Sequence, residues 1–211
     1  MRITGGELCG RKILAPSGLV TRPAADMLRV ALFNILKRFL EGSVVLDLFA
    51  GTGILSFECL SRGASYAVLV ENSRPALEKI RQNTEKLSLK EKIHIINYDA
   101  FRIVPVLRHL YKSFNLVFID PPYALLNDVQ TRSKMLNLIR SLYAEPKILA
   151  EDAITFFRYP KGDSVWEELS EDSFQVLRRR NYGSSEIALF ARKGLKIVLG
   201  TKHHFDRKTC K

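Results

Sequence analysis

Residues 44–53 read Val44-Val45-Leu46-Asp47-Leu48-Phe49-Ala50-Gly51-Thr52-Gly53. The almost unbroken apolar run from Val44 to Phe49 predicts a strand buried on both faces. Its one carboxylate, Asp47, stands near the end. Gly51-Thr52-Gly53 follows, and then ILSFECLSRG, a short helical pattern closed by Gly63. A strand, a tight glycine turn and a helix form the ligand-cradling corner of an open parallel sheet. Gly51 allows the sharp turn, and Gly53 lets backbone N–H groups approach a ligand with no Cβ in the way. A dinucleotide fingerprint carries a third glycine three residues further on. Ser56 stands there instead, which argues against NAD.

Outward from this corner, strands and helices alternate. Ala67 to Glu71 is a second buried strand. Glu71 ends it about twenty residues past the glycine loop, where an acid in such sheets reaches a ribose diol. Ser73 and Pro75 open a helix that runs through Leu87. Lys92 to Asn97 is a third strand, with Tyr98-Asp99-Ala100 beyond it. Asp99 is placed either to accept from an adenine amino group or simply to cap the helix expected over 100–112. Asn115 to Ile119 is a fourth buried strand and Ala153 to Tyr159 a fifth, with a helix over 130–143 between them. Phe174 to Asn181 and Glu186 to Ala191 flank Tyr182-Gly183-Ser184-Ser185 as a closing hairpin. Upstream, residues 1–20 read as a small β-hairpin that displays Arg2, Arg11 and Lys12. Thr21-Arg22-Pro23 leads into a helix whose Leu28, Leu32, Ile35, Leu36, Phe39 and Leu40 share one face. The alternation predicts an α/β fold with a largely parallel sheet, helices on both faces and an antiparallel hairpin at one edge.

The 211 residues carry a formal net charge of +11. Residues 1–40 hold seven Lys or Arg against two Asp or Glu, residues 192–211 hold seven against one, and residues 41–191 balance at nineteen of each. An excess confined to the two ends suits arms that meet a polyanion, around a neutral core that takes a small molecule. The three cysteines, Cys9, Cys59 and Cys210, are far apart and odd in number, a pattern of intracellular thiols with no metal-binding spacing. No apolar run reaches about 18 residues, so no membrane span is expected. Met1 to Gly6 is followed by no apolar segment, so it does not read as a signal peptide.

The second sharp motif ends the fourth strand: Asp120-Pro121-Pro122-Tyr123. Neighbouring strand ends converge on one crevice in this fold, which brings Asp120 beside Asp47 and Gly51. Two prolines fix φ and remove two donors, leaving a rigid turn that presents carbonyls. The D-x-F-x-G-x-G form of residues 47–53 resembles motif I of S-adenosylmethionine (SAM) methyltransferases, which implies a sulfonium methyl donor. An exocyclic amino nitrogen on a base has its lone pair delocalised into the ring. Accepting its two N–H bonds, on the Asp120 carboxylate and the Pro121 carbonyl, favours a localised lone pair able to attack a methyl group in line. Tyr123 offers a ring for a flipped base, worth roughly 1–3 kcal/mol of stacking. Methylation at carbon C5 of a pyrimidine needs a cysteine nucleophile, and no cysteine lies near residue 120.

With both motifs in view, residues 1–192 resemble the RsmD family, bacterial enzymes that methylate N2 of a guanine in 16S ribosomal RNA. The stretches that carry the resemblance are RITGG and GRK at the start, TRPAAD followed by LFNIL, VLDLFAGTG, the strand ending in Glu71, DPPY, and YGSSEIALF. The resemblance implies a seven-stranded Rossmann-like class I methyltransferase domain over residues 25–192. An RNA-binding hairpin extension would occupy 1–24 and a basic tail 193–211. It implies SAM held by Asp47, Phe49, Gly51, Gly53, Glu71, Asp99 and Ala100, and a target guanine met by Asp120, Pro121, Pro122 and Tyr123. Arg2, Arg11, Lys12 and Arg22 would meet RNA phosphates. The expected substrate is the assembled small subunit, and the expected protein a cytoplasmic monomer without metal. Where the family reads D-R-V-R-E, this chain has Asp26-Met27-Leu28-Arg29-Val30. Alternatives are another target, such as DNA adenine or a different RNA base, or an inactive RNA-binding module on the same fold. An intact Asp47, Glu71 and Asp120 speak against the last.

Overall fold

The run around Asp47 is the central strand of the sheet. The computed structural model describes residues 1–16, 23–110, 113–170, 174–197 and 199. These form β1 (Val44–Asp47), β2 (Tyr66–Glu71), β3 (Ile93–Asn97), β4 (Phe114–Ile119), β5 (Leu149–Pro160), β6 (Phe174–Tyr182) and β7 (Ser185–Arg192). The sheet order is β3-β2-β1-β4-β5-β7-β6. The first five strands are mutually parallel; β7 runs antiparallel to β5, and β6 to β7. The chain moves outward from β1 to β3, then returns to lay β4 on the other side of β1. A crevice opens at such a reversal, outside the carboxyl ends of the strands.

Side-chain alternation divides the core into two layers. Val45, Leu69, Leu116, Phe118 and Phe156 face the layer of α1 (Pro23–Leu36), α2 (Ile54–Ser61) and α3 (Arg74–Lys86). Leu46, Val68, Val117, Ile119 and Phe157 face the layer of α4 (Val104–Leu107), α5 (Ala124–Asn127), α6 (Val129–Ala144) and α7 (Val165–Ser170). Burial on both faces is why these strands read as apolar runs rather than alternating ones. The helix expected over 100–112 is shorter. Asp99 caps a 3₁₀ turn, Ala100–Arg102, and α4 then starts afresh with Pro105 in its first turn. The short helices α5 and α7 had no periodic signal long enough to read.

Residues 1–16 fold back onto α2 as a loop closed by one antiparallel bridge, Arg2 with Lys12. Ile3 and Ile13 are buried in the α1–α3 layer. The fully buried Glu58 of α2 pins the loop: it accepts from the Thr4 N–H at 2.8 Å and the Thr4 hydroxyl at 2.9 Å. Glu58 also pairs with Arg29 of α1 at 2.8 Å and with Arg62. Arg22, one of the expected RNA contacts, lies outside the described residues. Beyond β7, Leu199 is buried and Ile197 packs against the same layer. Cys59 is a free, buried thiol. Among the described residues, no helix is long and apolar enough to cross a membrane.

Candidate active site

The ends of β1, β2, β3 and β4 and the loops after them line one crevice of about 1000 Å³. Phe49, Gly51, Glu71, Asp99, Ala100 and Asp120 to Tyr123 all border it. Asp47 and Gly53 stand one layer behind its wall.

Asp47 is 1% exposed. Its Oδ2 accepts from the Ser56 hydroxyl at 2.8 Å, and its Oδ1 has no partner. Burial pushes its carboxyl up to about 7; the Ser56 hydrogen bond opposes this, and the carboxylates of Asp120 and Glu71 add to it. Ser56, the residue that breaks the dinucleotide pattern, is thus the one that holds Asp47. Packing by itself requires a glycine at position 53. Its φ is +75°, and a Cβ there would sit 2.8 Å from the Phe57 ring. Gly51, also at positive φ, donates its N–H to Glu71 Oε2 at 2.8 Å. The other oxygen of Glu71 accepts from the N–H groups of Asn72 and Ser73 at 2.9 and 2.8 Å. Glu71 therefore ties the end of β2 to the glycine turn. Asp99 Oδ1 accepts from the Phe101 N–H at 3.0 Å, the capping role expected as one alternative. Phe49 packs edge-on against Phe101, ring centres 5.7 Å apart, beside the buried Ala100.

Across the crevice, Asp120 pairs with Nε of Arg158 on β5. Its side chain is 21% exposed. Burial raises its carboxyl above the ordinary range, while the Arg158 guanidinium beside it lowers it. The same guanidinium lies 5.7 Å from the centre of the Tyr123 ring. The Tyr123 hydroxyl bonds the hydroxyl of Ser185, the first residue of β7. The carbonyls of Pro122 and Tyr123 accept from Leu125 and Leu126 at 2.9 Å, which starts α5. Arg158 and Ser185 escaped the sequence reading. A lone cation inside Ala153–Tyr159, an otherwise apolar run, was the signal for Arg158, since a buried charge needs a partner.

Arg2, Arg11 and Lys12 are exposed and lie outside the crevice. Met1 borders it, so their segment reaches the mouth. Met27, where the family pattern has Arg, is 63% exposed on α1.

The family described as Conserved hypothetical protein 95 matches residues 1–191. The chain belongs to this family. It is the RsmD family that the motifs resemble. A relative from Bacillus subtilis, "Putative rRNA methyltransferase YlbH", is 27% identical over 194 residues, 92% of this chain and 100% of the relative. "Ribosomal RNA small subunit methyltransferase D" of Escherichia coli (strain K12) is 35% identical over 123 residues, 58% of this chain and 60% of that protein. Among solved structures, "Putative methyltransferase yhhF from Escherichia coli" superposes with a TM-score of 0.71 at 28% identity, covering 91% of this chain and 97% of that one. With family membership comes the cofactor, SAM. The crevice has the chemistry to take it: a carboxylate ends β2, Phe49 and Ala100 give an apolar wall, and Asp47 keeps a buried, unpartnered oxygen behind the turn.

Proposed function

We propose that this protein methylates the exocyclic N2 amino group of a guanine in 16S ribosomal RNA, on the assembled small subunit, with SAM as donor. The observation that carries the reading is that Asp120-Pro121-Pro122-Tyr123 and the glycine corner after β1 share one crevice. The names of the family relatives, ribosomal RNA methyltransferases, support the substrate class. When bound, SAM supplies an electrophilic methyl group.

This chain's residues bind, orient and stabilise. A carboxylate oxygen offers more than one lone pair. Glu71 can therefore hold Gly51 and still accept from a ribose hydroxyl, and Asp99 can cap its turn and still accept from an adenine amino group. Asp47 acts on the donor side through Ser56 and the turn that Gly51 and Gly53 form. Phe49 and Ala100 supply the apolar wall. On the acceptor side, Asp120 and the Pro121 carbonyl take the two N–H bonds of the amino group, which localises its lone pair. They also stabilise the positive charge that grows on that nitrogen. Pro122 stiffens the turn, and Tyr123, anchored by Ser185, offers its ring to the flipped base. Arg2, Arg11, Lys12 and Arg22, on an extension spanning residues 1–24, hold RNA phosphates outside residues 25–192, and the basic residues 193–211 add general affinity. The protein acts as a cytoplasmic monomer without metal.

The deciding experiment gives the protein tritiated SAM with small-subunit particles, naked 16S RNA and DNA, then maps the modified base. Label on N2 of one guanine in the particles is the expected result. Label on DNA adenine, or on none of the three, would overturn the reading.

A further inference from the structure

The three consecutive arginines of β6, Arg178, Arg179 and Arg180, do not share a face. Arg180 stands opposite Ile187 and Arg178 opposite Leu189, and both partners are buried in the α1–α3 layer. Arg179 stands opposite Ala188, which is buried in the other layer, and it pairs with Glu186 at 2.7 Å. Residues directly opposite in a ladder point the same way. Arg178 and Arg180 therefore lie on the α1 side of the sheet and Arg179 on the α7 side. From the other flank of β7, Arg158 also stands opposite Ile187. Arg158, Ile187 and Arg180 form one row across β5, β7 and β6. The inner end of the row is the cation that holds Asp120 in the crevice; the outer end, Arg180, is exposed on the sheet's edge strand. The turn joining β6 to β7 borders the crevice through Tyr182, Ser184 and Ser185. Among the described residues, Glu186 and Glu167 sit with Arg179 on the α7 side.

We propose that Arg180 and Arg178 form a phosphate-contacting track for the RNA strand that flanks the target nucleotide, leading from the sheet edge to Arg158 at the crevice. It rests on the reading of RNA as substrate and adds a second RNA surface to the N-terminal cations. The planar guanidinium suits bidentate phosphate contact, and a positive track along the backbone is how single strands are held without sequence preference. Contacts on this edge would fix where the strand enters, so that the flipped base reaches Tyr123.

The test uses the full chain and a single-stranded RNA oligonucleotide in an anisotropy titration over a salt series. Arg178→Ala with Arg180→Ala should weaken binding several-fold at moderate salt. It should also flatten the slope of log K against log[salt] by about 0.7 for each phosphate no longer neutralised. Arg179→Ala, one residue away on the opposite face, should keep the wild-type slope, and both variants should bind SAM like wild type. A double variant with wild-type slope and affinity overturns the track, as does an Arg179→Ala variant that loses as much. Loss of binding to small-subunit particles with RNA binding intact would mean that the face meets a ribosomal protein, and would also overturn it. If the wild-type protein shows no RNA binding, the substrate reading falls first and takes the track with it, an outcome distinct from a wild-type-like double variant.

Discussion

Asp47 and Asp120 are two carboxylates with different support, one behind the crevice wall and one bordering the crevice. Asp47 has neutral donors from Ser56 and an unpartnered oxygen; Asp120 has a guanidinium. In the folded chain Asp47 keeps its proton up to about pH 7, against 3.8 for an unperturbed group. Between those values the folded state holds a proton that the unfolded chain has released, so stability falls as pH rises from about 4 to about 7 and levels off above. Asp47→Asn cannot ionise. Thermal melts should show it more stable than wild type at pH 8, on the order of 2–4 kcal/mol, with the difference vanishing near pH 4, while calorimetry shows SAM binding lost. A pH-independent difference would exclude burial of this carboxyl as the cause. For Asp120 the direction is the same, upward, because burial outweighs the Arg158 guanidinium that opposes it. Arg158→Leu should let the carboxyl rise further and move the acid limb of the single-turnover rate to higher pH. Asp120→Ala should leave SAM affinity near wild type and slow transfer by on the order of 10²–10³, the scale of removing one preorganised transition-state interaction. An unchanged rate would remove Asp120 from the chemistry.

At the scale of elements, the sequence makes legible what local pattern alone decides. β1, β2 and β4 are buried on both faces, and their apolar runs announce them. The acids at their ends follow from the fold's geometry. The glycine turn is legible as a turn, but the reason for Gly53 is not, because Phe57 fills the space only once α2 packs. Arg158 is equally hidden: its partner lies 38 residues away, just past the end of β4. The same holds for the seam that attaches the N-terminal segment. Glu58 looks like a stray charge in an apolar helix, yet it joins Thr4, Arg29 and Arg62. Breaking a buried ion pair from one side costs about 3–5 kcal/mol. Glu58→Ala should lose stability on that scale. Residues 2–13 should also exchange their amide hydrogens faster than the sheet does. Uniform exchange with no local release would mean that Ile3 and Ile13 alone hold the segment down.

For the molecule as a whole, the distribution of charge sets what the two ends can do. The +11 falls to the termini because the middle balances, and averaging over that middle hides the separation of arginines by face on β6. The N-terminal cations ride on a segment that is pinned to α2 and reaches the crevice mouth through Met1. A cation on a fixed arm positions substrate; one that acts only through its charge adds general attraction, which salt screens. Leu199 is part of the α1–α3 core, so a clean test of the tail removes residues 200–211 and spares it. That deletion should lower RNA affinity at low salt, flatten the salt slope by about 0.7 for each phosphate the tail neutralises, and leave modification of the correct base nearly unchanged. Arg11→Ala combined with Lys12→Ala should do the reverse, slowing modification of small-subunit particles at fixed salt while SAM binding holds. The comparison is methyl incorporation into particles by the two variants side by side. Abolished modification in the tail deletion, with wild-type rates in the double substitution, would put the recognition arm at the other end of the chain.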